Sequence, residues 1–342
     1  MSFLTDAERD ALEIRRMIFH VVGHDPEDLV LLDEIAPPQH ADFFIERVKH
    51  VLRGNVFEFR DGSATEDVLR AITLDPLGFA DGTRTLATAF QSRHVRATST
   101  GVFFVFELSV GGDDAIFALI KYDHDDVVRY MLRGDDVPEV PRLERFRESF
   151  VRKPEAMQKI ALVRLTEGGG GRLIVHDRSR RTHISDYFES FLHVRRVNDA
   201  AGLSGKLVDA LKRTFKAHRE ELSPEFRRGG VERIYEVLNQ EGRSFDPEDC
   251  QPLVAAVFGD VAPDSAVHRT LANNLKKLGV AGEAFDLDLA SVQRPRRRRL
   301  ETEEGTQVTY HEDFRPTISD RPDGRKQIVI VTSRITQDDV EA

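Results

Sequence analysis

Two apolar segments joined by a short polar turn place the strongest constraint on the fold of this chain. Residues 101–110 read GVFFVFELSV and residues 115–122 read AIFALIKY, with Gly111-Gly112-Asp113-Asp114 between them. Both segments are rich in aromatic and β-branched residues, and Gly and Asp are typical of the turns that join antiparallel strands. The pattern therefore predicts a β-hairpin.

Strand patterns recur on both sides of this hairpin. Several are joined by short turns, which is typical of a mostly antiparallel sheet. The predicted strands are Ile14–Val22, Leu29–Ile35, Val56–Phe59, Val127–Leu132, Gln158–Leu165 and Arg172–His176. A charge-rich connection is predicted from Asp135 to Pro154. Apolar residues at helical spacing predict helices over Ala41–Leu52, Thr65–Ile72 and Gly82–Arg93.

The middle of the chain has helical spacing. Leu203, Leu207, Leu211 and Phe215 recur every four residues, as on one face of an amphipathic helix. Further helices are predicted over Ile184–Leu192, Val231–Asn239, Pro252–Phe258 and Ser265–Leu278. Gly282–Glu304 is interpreted as a linker. Strands are predicted over Gln307–Tyr310 and Gln327–Ile335, with a turn at Arg321-Pro322-Asp323-Gly324.

These elements predict an α+β fold with a mostly antiparallel sheet, helices, a helical middle region and a small C-terminal β unit. A chain of 342 residues is long enough for two or three domains. We expect an α+β domain over 1–198, a basic helical region over 199–282, and a linker with the C-terminal β unit over 283–342.

Composition favours a globular protein of a reducing compartment. Hydrophobic residues make up 40% and charged residues 32% of the chain, which argues against disorder. The single cysteine, Cys250, allows no intrachain disulfide and no cysteine-based zinc cage. Residues 1–16 lack the apolar stretch of a signal peptide, and no apolar run reaches the roughly 20 residues of a membrane helix. We expect a cytoplasmic protein without membrane contact.

The net charge of -10 argues against a general nucleic-acid binder until it is divided along the chain. Residues 1–140 carry a net charge of -12, residues 141–233 carry +8, and residues 234–342 carry -6. A basic middle part is compatible with a local surface for a polyanion, although solvated helix faces give the same asymmetry.

Basic residues cluster around the helices of the middle part. Arg and Lys neutralise phosphates without reading bases, so the clusters predict a DNA-binding surface. The alternative is that they are ordinary helix-face charges paired with Glu220, Glu221 and Glu225. The candidate DNA-binding residues here are Arg178, Arg180, Arg181, Arg195, Arg196, Lys206, Lys212, Arg213, Lys216 and Arg219.

A dense arginine run lies in the predicted linker, from Arg294 to Arg299 with Pro295 inside it. It is interpreted either as a flexible arm that contacts DNA or as a solubilising linker whose counter-charges are Glu301, Glu303 and Glu304. The candidate DNA-binding residues in this run are Arg296, Arg297, Arg298 and Arg299.

No catalytic constellation stands out. The glycines at 168–171 lack the Lys-Ser/Thr ending of a phosphate loop and fit a hairpin tip. A restriction-type nuclease would need a carboxylate two residues before Lys121, where the chain has Leu119. The sequence from Asp123 to Asp126, with His124, is the cluster that most resembles a divalent-metal site, but a polar loop after a strand is the favoured interpretation.

The order of these segments resembles the bacterial nucleoid-associated protein family (NdpA/YejK-like proteins) over most of the chain. The resemblance rests on the opening IRRMIFHVV and LVLLDEI, on the hairpin GVFFVFELSV…AIFALIKYDH, and on the closing GTQVTYHEDF…DRPDGRKQIVIV. Its most distinctive part is HISDYFESFLHVRRVNDAAGLSGKLVDALKRTF, similar to the family's "DYF-x-x-FLG" helix and the longer helix after it. His193 stands where the family often has Gly.

The resemblance implies a cytoplasmic protein of the nucleoid that associates with DNA. The family offers no catalytic or base-reading residues to carry over, so we expect neither enzyme activity nor a cofactor. We expect DNA as partner, through phosphates and with little sequence specificity, and leave homo-oligomerisation open. Two alternatives remain: a protein-interaction component that recruits or regulates a DNA-acting enzyme or defence assembly, and a metal-dependent nuclease that uses the Asp123–Asp126 cluster.

Overall fold

The structure is a computed structural model that describes most of the chain. The residues outside the description are 1–2, 36–37, 39, 75–77, 94–99, 113, 124, 132–141, 150–156, 168, 241, 295 and 336–342, and only the backbone is described at 123, 125–131 and 142–149. The chain forms two compact units, residues 1–292 and residues 293–342. The three-part division expected from the sequence stays a prediction.

The first unit is built on a seven-stranded antiparallel sheet, which confirms the predicted fold class. Its strands are β1 (Glu13–Val22), β2 (Asn55–Phe59), β3 (Gly101–Ser109), β4 (Ile116–Asp123), β7 (Met157–Leu165), β8 (Gly171–Asp177) and β9 (Val194–Arg196), in the order β1-β3-β4-β7-β8-β2-β9. β5 (Asp125–Met131) and β6 (Arg142–Ser149) form a separate hairpin. The predicted hairpin is β3 with β4, which pair from Gly101–Asp123 to Leu108–Ile116.

Two sequence predictions are wrong in this unit. The segment Leu29–Ile35 is not a strand: its contacts with β1 are one isolated bridge, Val21 with Val30, and a hydrogen bond from the Ile35 amide to the Met17 carbonyl at 3.0 Å. Its charged residues form salt bridges instead, Glu34 with Arg16 at 2.6 Å. The predicted connection from Asp135 to Pro154 contains strand β6.

Helices cover both faces of the sheet because each presents an apolar stripe to it. Buried phenylalanines and leucines of the helices pack against the alternating apolar side chains of the strands on each face. One face carries α3 (Ala64–Thr73), α4 (Phe79–Gln91) and α5 (Asp186–Leu192), and the other carries α2 (Ala41–His50). A short helix, α1 (Asp6–Asp10), precedes β1.

A helical region with its own core completes the first unit. The predicted leucine stripe, Leu203 to Phe215, is buried as expected. The helices are α6 (Ala200–His218), α7 (Pro224–Leu238), α8 (Gln251–Phe258) and α9 (Ala266–Leu278). Two short strands, β10 (Ser244–Phe245) and β11 (Phe285–Asp286), pair beside them. Phe285 is fully buried, so this stretch, assigned to a linker from the sequence, belongs to the core.

The second unit contains two separate hairpins. They are β12 (Arg297–Glu301) with β13 (Gln307–His311), and β14 (Thr317–Asp320) with β15 (Lys326–Val329). The predicted strand Gln327–Ile335 therefore ends early. The described pairing with β14 stops at Thr317–Val329, and residues 330–335 belong to no described strand.

A buried histidine ties the irregular segment 29–35 to β1. His20 is fully buried, and its Nδ1 accepts a hydrogen bond from the Leu32 amide at 3.1 Å. Burial, together with the nearby charge of Arg84, lowers the pKa of His20 to about 4. Between the ordinary pKa of histidine and the lowered pKa of His20, the unfolded chain binds a proton at this side chain and the folded chain does not. Acidification therefore favours unfolding.

We expect the free energy of unfolding to fall by about 3 kcal/mol as the pH drops from 6.5 to 4. The pKa of His20 is lower in the folded chain than in the unfolded chain by about that interval, and such a difference makes stability depend on pH. His20→Asn keeps an acceptor for Leu32 but cannot titrate, so its urea-denaturation midpoints should vary less over this range. His24→Asn, at an exposed position, is the control. Parallel pH profiles for wild type and His20→Asn would contradict the prediction.

Helix α5 ends at a residue in the left-handed region. His193 has φ 52° and ψ 62°, and its amide donates to the Glu189 carbonyl at 2.7 Å. Glycine adopts this conformation without the penalty that a side chain imposes. His193→Gly should therefore raise the free energy of unfolding by about 1 kcal/mol in urea titrations. Ser92→Gly, at the end of α4 where φ is -63°, should not stabilise the protein. Equal effects at both positions would refute this account.

Candidate nucleic-acid interface

A buried ion pair positions helix α5, the most distinctive segment of the sequence. Lys159 on β7 and Asp177 on β8 are register partners and form a salt bridge with both side chains buried. The Asp177 carboxylate also accepts from the Ser179 amide at 2.9 Å and the Ser185 amide at 2.7 Å. Burial raises the pKa of Asp177, but hydrogen bonds from Lys159, Ser179 and Ser185 outweigh it and hold the pKa below its usual value. Since Ser185 is the N-cap residue of α5, Asp177 fixes the start of the helix.

The arginines that flank α5 are exposed, and several are paired with carboxylates. Arg180 lies 3.6 Å from Asp186, and Arg195 lies 2.6 Å from Glu58. Arg181 forms a salt bridge with Asp246, and hydrogen bonding to that carboxylate raises the pKa of Arg181. Arg178 is exposed and forms no salt bridge with any described residue. The charge of the three paired arginines is partly neutralised within the protein.

Arg196 differs from its neighbour Arg195 because successive strand residues point to opposite faces. Its guanidinium donates to Glu283 at 2.9 Å, to Asn55 at 3.1 Å and to two backbone carbonyls, those of Thr182 and Ala284. The Glu283 side chain is only 3% exposed. These contacts join β9 to the segment after α9, so Arg196 serves as a structural clamp. Its contact with DNA stays a prediction.

Helix α6 carries several basic residues that form no salt bridge with a described residue. The helix begins at the Asp199 cap, which accepts from the Gly202 amide at 2.6 Å, and buries its leucine stripe. Its opposite side presents Lys206, Arg213 and Lys216, none of which forms a salt bridge with a described residue, and Arg219 directly after the helix is exposed. Lys212 lies over the Tyr235 ring, 5.1 Å from its centroid.

The glutamates proposed as partners for these lysines bind elsewhere. Glu220 pairs with Arg227 at 3.1 Å, and Glu221 pairs with His218 at 3.0 Å. Within the described part of the chain, therefore, pairing with these two glutamates does not account for the α6 cations.

Helix α9 adds two lysines that sequence reasoning missed. α9 runs antiparallel to α6, since His218 contacts Thr270 at 2.8 Å and Asn274 contacts Thr214 at 3.0 Å. Lys276 and Lys277 are exposed at the C-terminal end of α9. Lys277 follows Thr270 and Asn274 on the same side of the helix, and the antiparallel register places it level with Leu211 of α6. We call the solvent-accessible cations of both helices (Lys206, Arg213, Lys216, Arg219, Lys276 and Lys277) the α6–α9 surface.

In the second unit, side chains alternate between the two faces of β12, so the arginines of the run lie on different faces. Arg297 and Arg299 lie on the exposed face of β12, opposite His311 and Thr309 of β13. Arg298 lies on the other, less exposed face and is 3.4 Å from Glu312. Arg299 is 3.6 Å from Glu301, and Arg296 is exposed just before the strand. The run is thus partly a strand rather than a flexible arm.

Chemistry other than phosphate binding has little support among the described residues. No group of three His, Cys, Asp or Glu side chains that could hold a metal occurs within the described ranges. The predicted Asp123–Asp126 cluster lies outside the described side chains. Burial raises the pKa of the Cys250 thiol, which disfavours a reactive thiolate. No described helix has the length and apolar character of a membrane span.

Comparison with known families identifies this architecture. The family model described as nucleoid-associated protein YejK matches residues 18–334, a range that begins within β1 and contains the rest of the large sheet, the helical region and both C-terminal hairpins. Comparisons with curated proteins and with solved structures give no match. The matched range covers most of the chain and confirms the resemblance seen in the sequence. The chain therefore belongs to the nucleoid-associated protein YejK family.

Proposed function

We propose that this protein associates with chromosomal DNA in the bacterial cytoplasm, mainly through phosphate contacts and with little sequence specificity. Membership of a nucleoid-associated family supports a role at the nucleoid. The observation that carries the proposal is the α6–α9 surface, where lysines and arginines from two packed helices reach solvent and have no described carboxylate partner. Cations that are not already neutralised can release counterions from DNA, which is the main source of non-specific affinity.

The proposal assigns different weights to the predicted residues. Phosphate binding falls first to the α6–α9 surface and second to Arg297 on the exposed face of β12. Arg180, Arg181, Arg195 and Arg299 contribute less because binding DNA would compete with their own carboxylates. The proposal also includes self-association of the protein and a protein partner that binds its DNA-bound form.

A salt-titrated binding assay tests this assignment. In Lys206→Gln/Arg213→Gln/Lys216→Gln, the slope of log affinity against log salt should become shallower by about 0.9 for each phosphate that the protein no longer neutralises. The matched control, Arg180→Gln/Arg181→Gln/Arg195→Gln, removes the same charge from paired positions and should keep a slope near that of wild type. Circular dichroism would verify that both variants fold.

Two results would contradict the proposal. Equal reductions of the slope in both triple variants would mean that only the net charge matters. No binding by the wild-type chain even at low salt would favour the protein-interaction alternative, which a pull-down from nuclease-treated lysate would then support.

A further inference from the structure

The second unit presents a phenylalanine ring to solvent. Phe314 ends a short 3-10 turn, Glu312–Phe314, which directly follows β13. The residue is 78% exposed, whereas aromatic side chains contribute most to stability or binding when a partner covers them. The ring of Phe314 is therefore available to a ligand.

His311 holds the turn that carries this ring. Its Nδ1 accepts a hydrogen bond from the Asp313 amide at 3.4 Å, in the manner of a residue that caps a helical turn. The ring centroids of His311 and Phe314 lie 6.3 Å apart, and the two ring planes make an angle of 58°. Because the rings are far from parallel, a flat ligand cannot fit between them and would stack on Phe314 alone.

Two arginines close to this turn are free to bind an anion. Arg297 is the register partner of His311, so their side chains lie on the same face of the hairpin. Arg315 directly follows Phe314 in the chain. Both arginines are exposed, and neither forms a salt bridge with a described residue.

The two carboxylates of the turn have partners of their own. Glu312 lies 2.6 Å from Arg294 and 3.4 Å from Arg298. Asp313 lies 3.2 Å from Nδ1 of His311, and the two carry opposite charges once the histidine is protonated. The charge that remains for a ligand is thus positive. An anion with a flat, stackable group matches both the free arginines and the open ring.

We propose that the Phe314 site, which consists of Arg297, His311, Phe314 and Arg315, binds single-stranded nucleic acid by stacking an unpaired base on Phe314. Proteins bind single strands by combining aromatic rings that stack bases with cations that follow the backbone. Arg297 and Arg315 supply the cations and would neutralise neighbouring phosphates.

Duplex DNA is a poorer ligand for the Phe314 site. Its bases already stack on one another, and a side chain enters only by separating a base step, which costs free energy. The α6–α9 surface has the opposite character, because the one Phe, Tyr or Trp in α6 and α9 is Phe215, which is buried. The Phe314 site shares no residue with the α6–α9 surface and adds a second kind of ligand to the proposed binding of chromosomal DNA.

Tryptophan fluorescence tests the stacking directly, because the chain has no tryptophan of its own. In full-length Phe314→Trp, a single-stranded oligonucleotide should quench the emission in a saturable way, and a duplex of the same length should quench it less. Val331→Trp is the control, since it places the same probe at a residue that is 90% exposed in the same unit. Its emission should not change. Equal quenching of the two variants, or no quenching of Phe314→Trp, overturns the proposal.

Loss of the ring should weaken the binding of single strands. Phe314→Ala should raise the Kd for the single-stranded oligonucleotide, measured by fluorescence anisotropy, by about fivefold or more, as for other stacking residues replaced by alanine. Phe314→Tyr keeps a ring and should bind like wild type. The Kd for the duplex should hardly change in Phe314→Ala. The triple variant Lys206→Gln/Arg213→Gln/Lys216→Gln should show the reverse pattern, so failure of one site is distinguishable from failure of the other.

Three results with Phe314→Ala would overturn the proposal. The first is an unchanged Kd for the single strand. The second is an equal loss for single strand and duplex, which would indicate a wedge between base pairs. The third is the loss of a bound protein with full retention of oligonucleotide affinity, which would assign the ring to a protein partner. Competition between DNA and RNA strands of one sequence identifies the source of the strand, and dependence on Phe314 in either supports the proposal.

Discussion

Replacing Arg196 with methionine should lower the free energy of unfolding by about 3–5 kcal/mol, as expected when one partner of a buried ion pair is removed. The decrease follows from Glu283, whose side chain is 3% exposed and would stay buried without its guanidinium partner. Asn55 and the carbonyls of Thr182 and Ala284 would lose a donor as well. Urea denaturation followed by circular dichroism measures the change.

The neighbouring arginine supplies the matched control. Arg195 lies on the exposed side of β9 and pairs with Glu58 of the neighbouring strand β2. An exposed salt bridge contributes at most about 1 kcal/mol, so Arg195→Met should be nearly neutral. Arg196→Met combined with Glu283→Met should recover part of the stability, because no unpaired charge remains buried. If Arg196→Met unfolds like wild type but binds DNA more weakly, Arg196 is a DNA contact and the clamp assignment is wrong.

The second large effect is expected at the ion pair under α5. Asp177→Asn leaves the Lys159 ammonium buried without a counter-charge, which should cost about 3–5 kcal/mol. The pKa of Asp177 is held below its usual value in the folded state, so its contribution to stability is present above the ordinary pKa of Asp and disappears as the pH falls through the folded value. The difference between wild type and Asp177→Asn should therefore narrow at the acid end of a pH series of urea titrations.

Asp186→Asn is the control for this prediction. Asp186 is 96% exposed and pairs with Arg180 at 3.6 Å, so its change should stay within about 0.5 kcal/mol. Asp177→Asn combined with Lys159→Met should be more stable than Asp177→Asn alone. A destabilisation at Asp177 no larger than that at Asp186 would mean that the buried pair does not hold α5.

Local patterns predicted most of the fold. The β3–β4 hairpin and the leucine stripe of α6 follow from spacing within a single element, so both could be predicted from the sequence. The segment 29–35 was mispredicted because its β-branched residues match a strand while its hydrogen bonds go to the His20 ring and to only two positions of β1. The early end of β15 could not be predicted from local pattern, because β-branched residues continue to Ile335 while the described pairing with β14 stops at Thr317–Val329.

The candidate site was harder to predict than the fold, because it depends on which charged side chains form salt bridges in the folded protein. Arg195 and Arg196 are adjacent in the sequence, yet one is exposed beside Glu58 and the other is fixed to Glu283 from a distant segment. Lys276 and Lys277 could be assigned to the candidate site only once the packing of α9 against α6 was known. Charge density in the sequence indicated the region, but tertiary structure decides which cations remain available.

The two edge strands of the large sheet, β1 and β9, are poorly suited to pairing with a further strand. The segment 29–35 shields part of β1 through the Val21–Val30 bridge and the Ile35 amide, and β9 at the other end is only three residues long. Open sheet edges are where proteins join into continuous β-aggregates. A chain with both edges blunted in this way can reach a high local concentration without polymerising through its sheet.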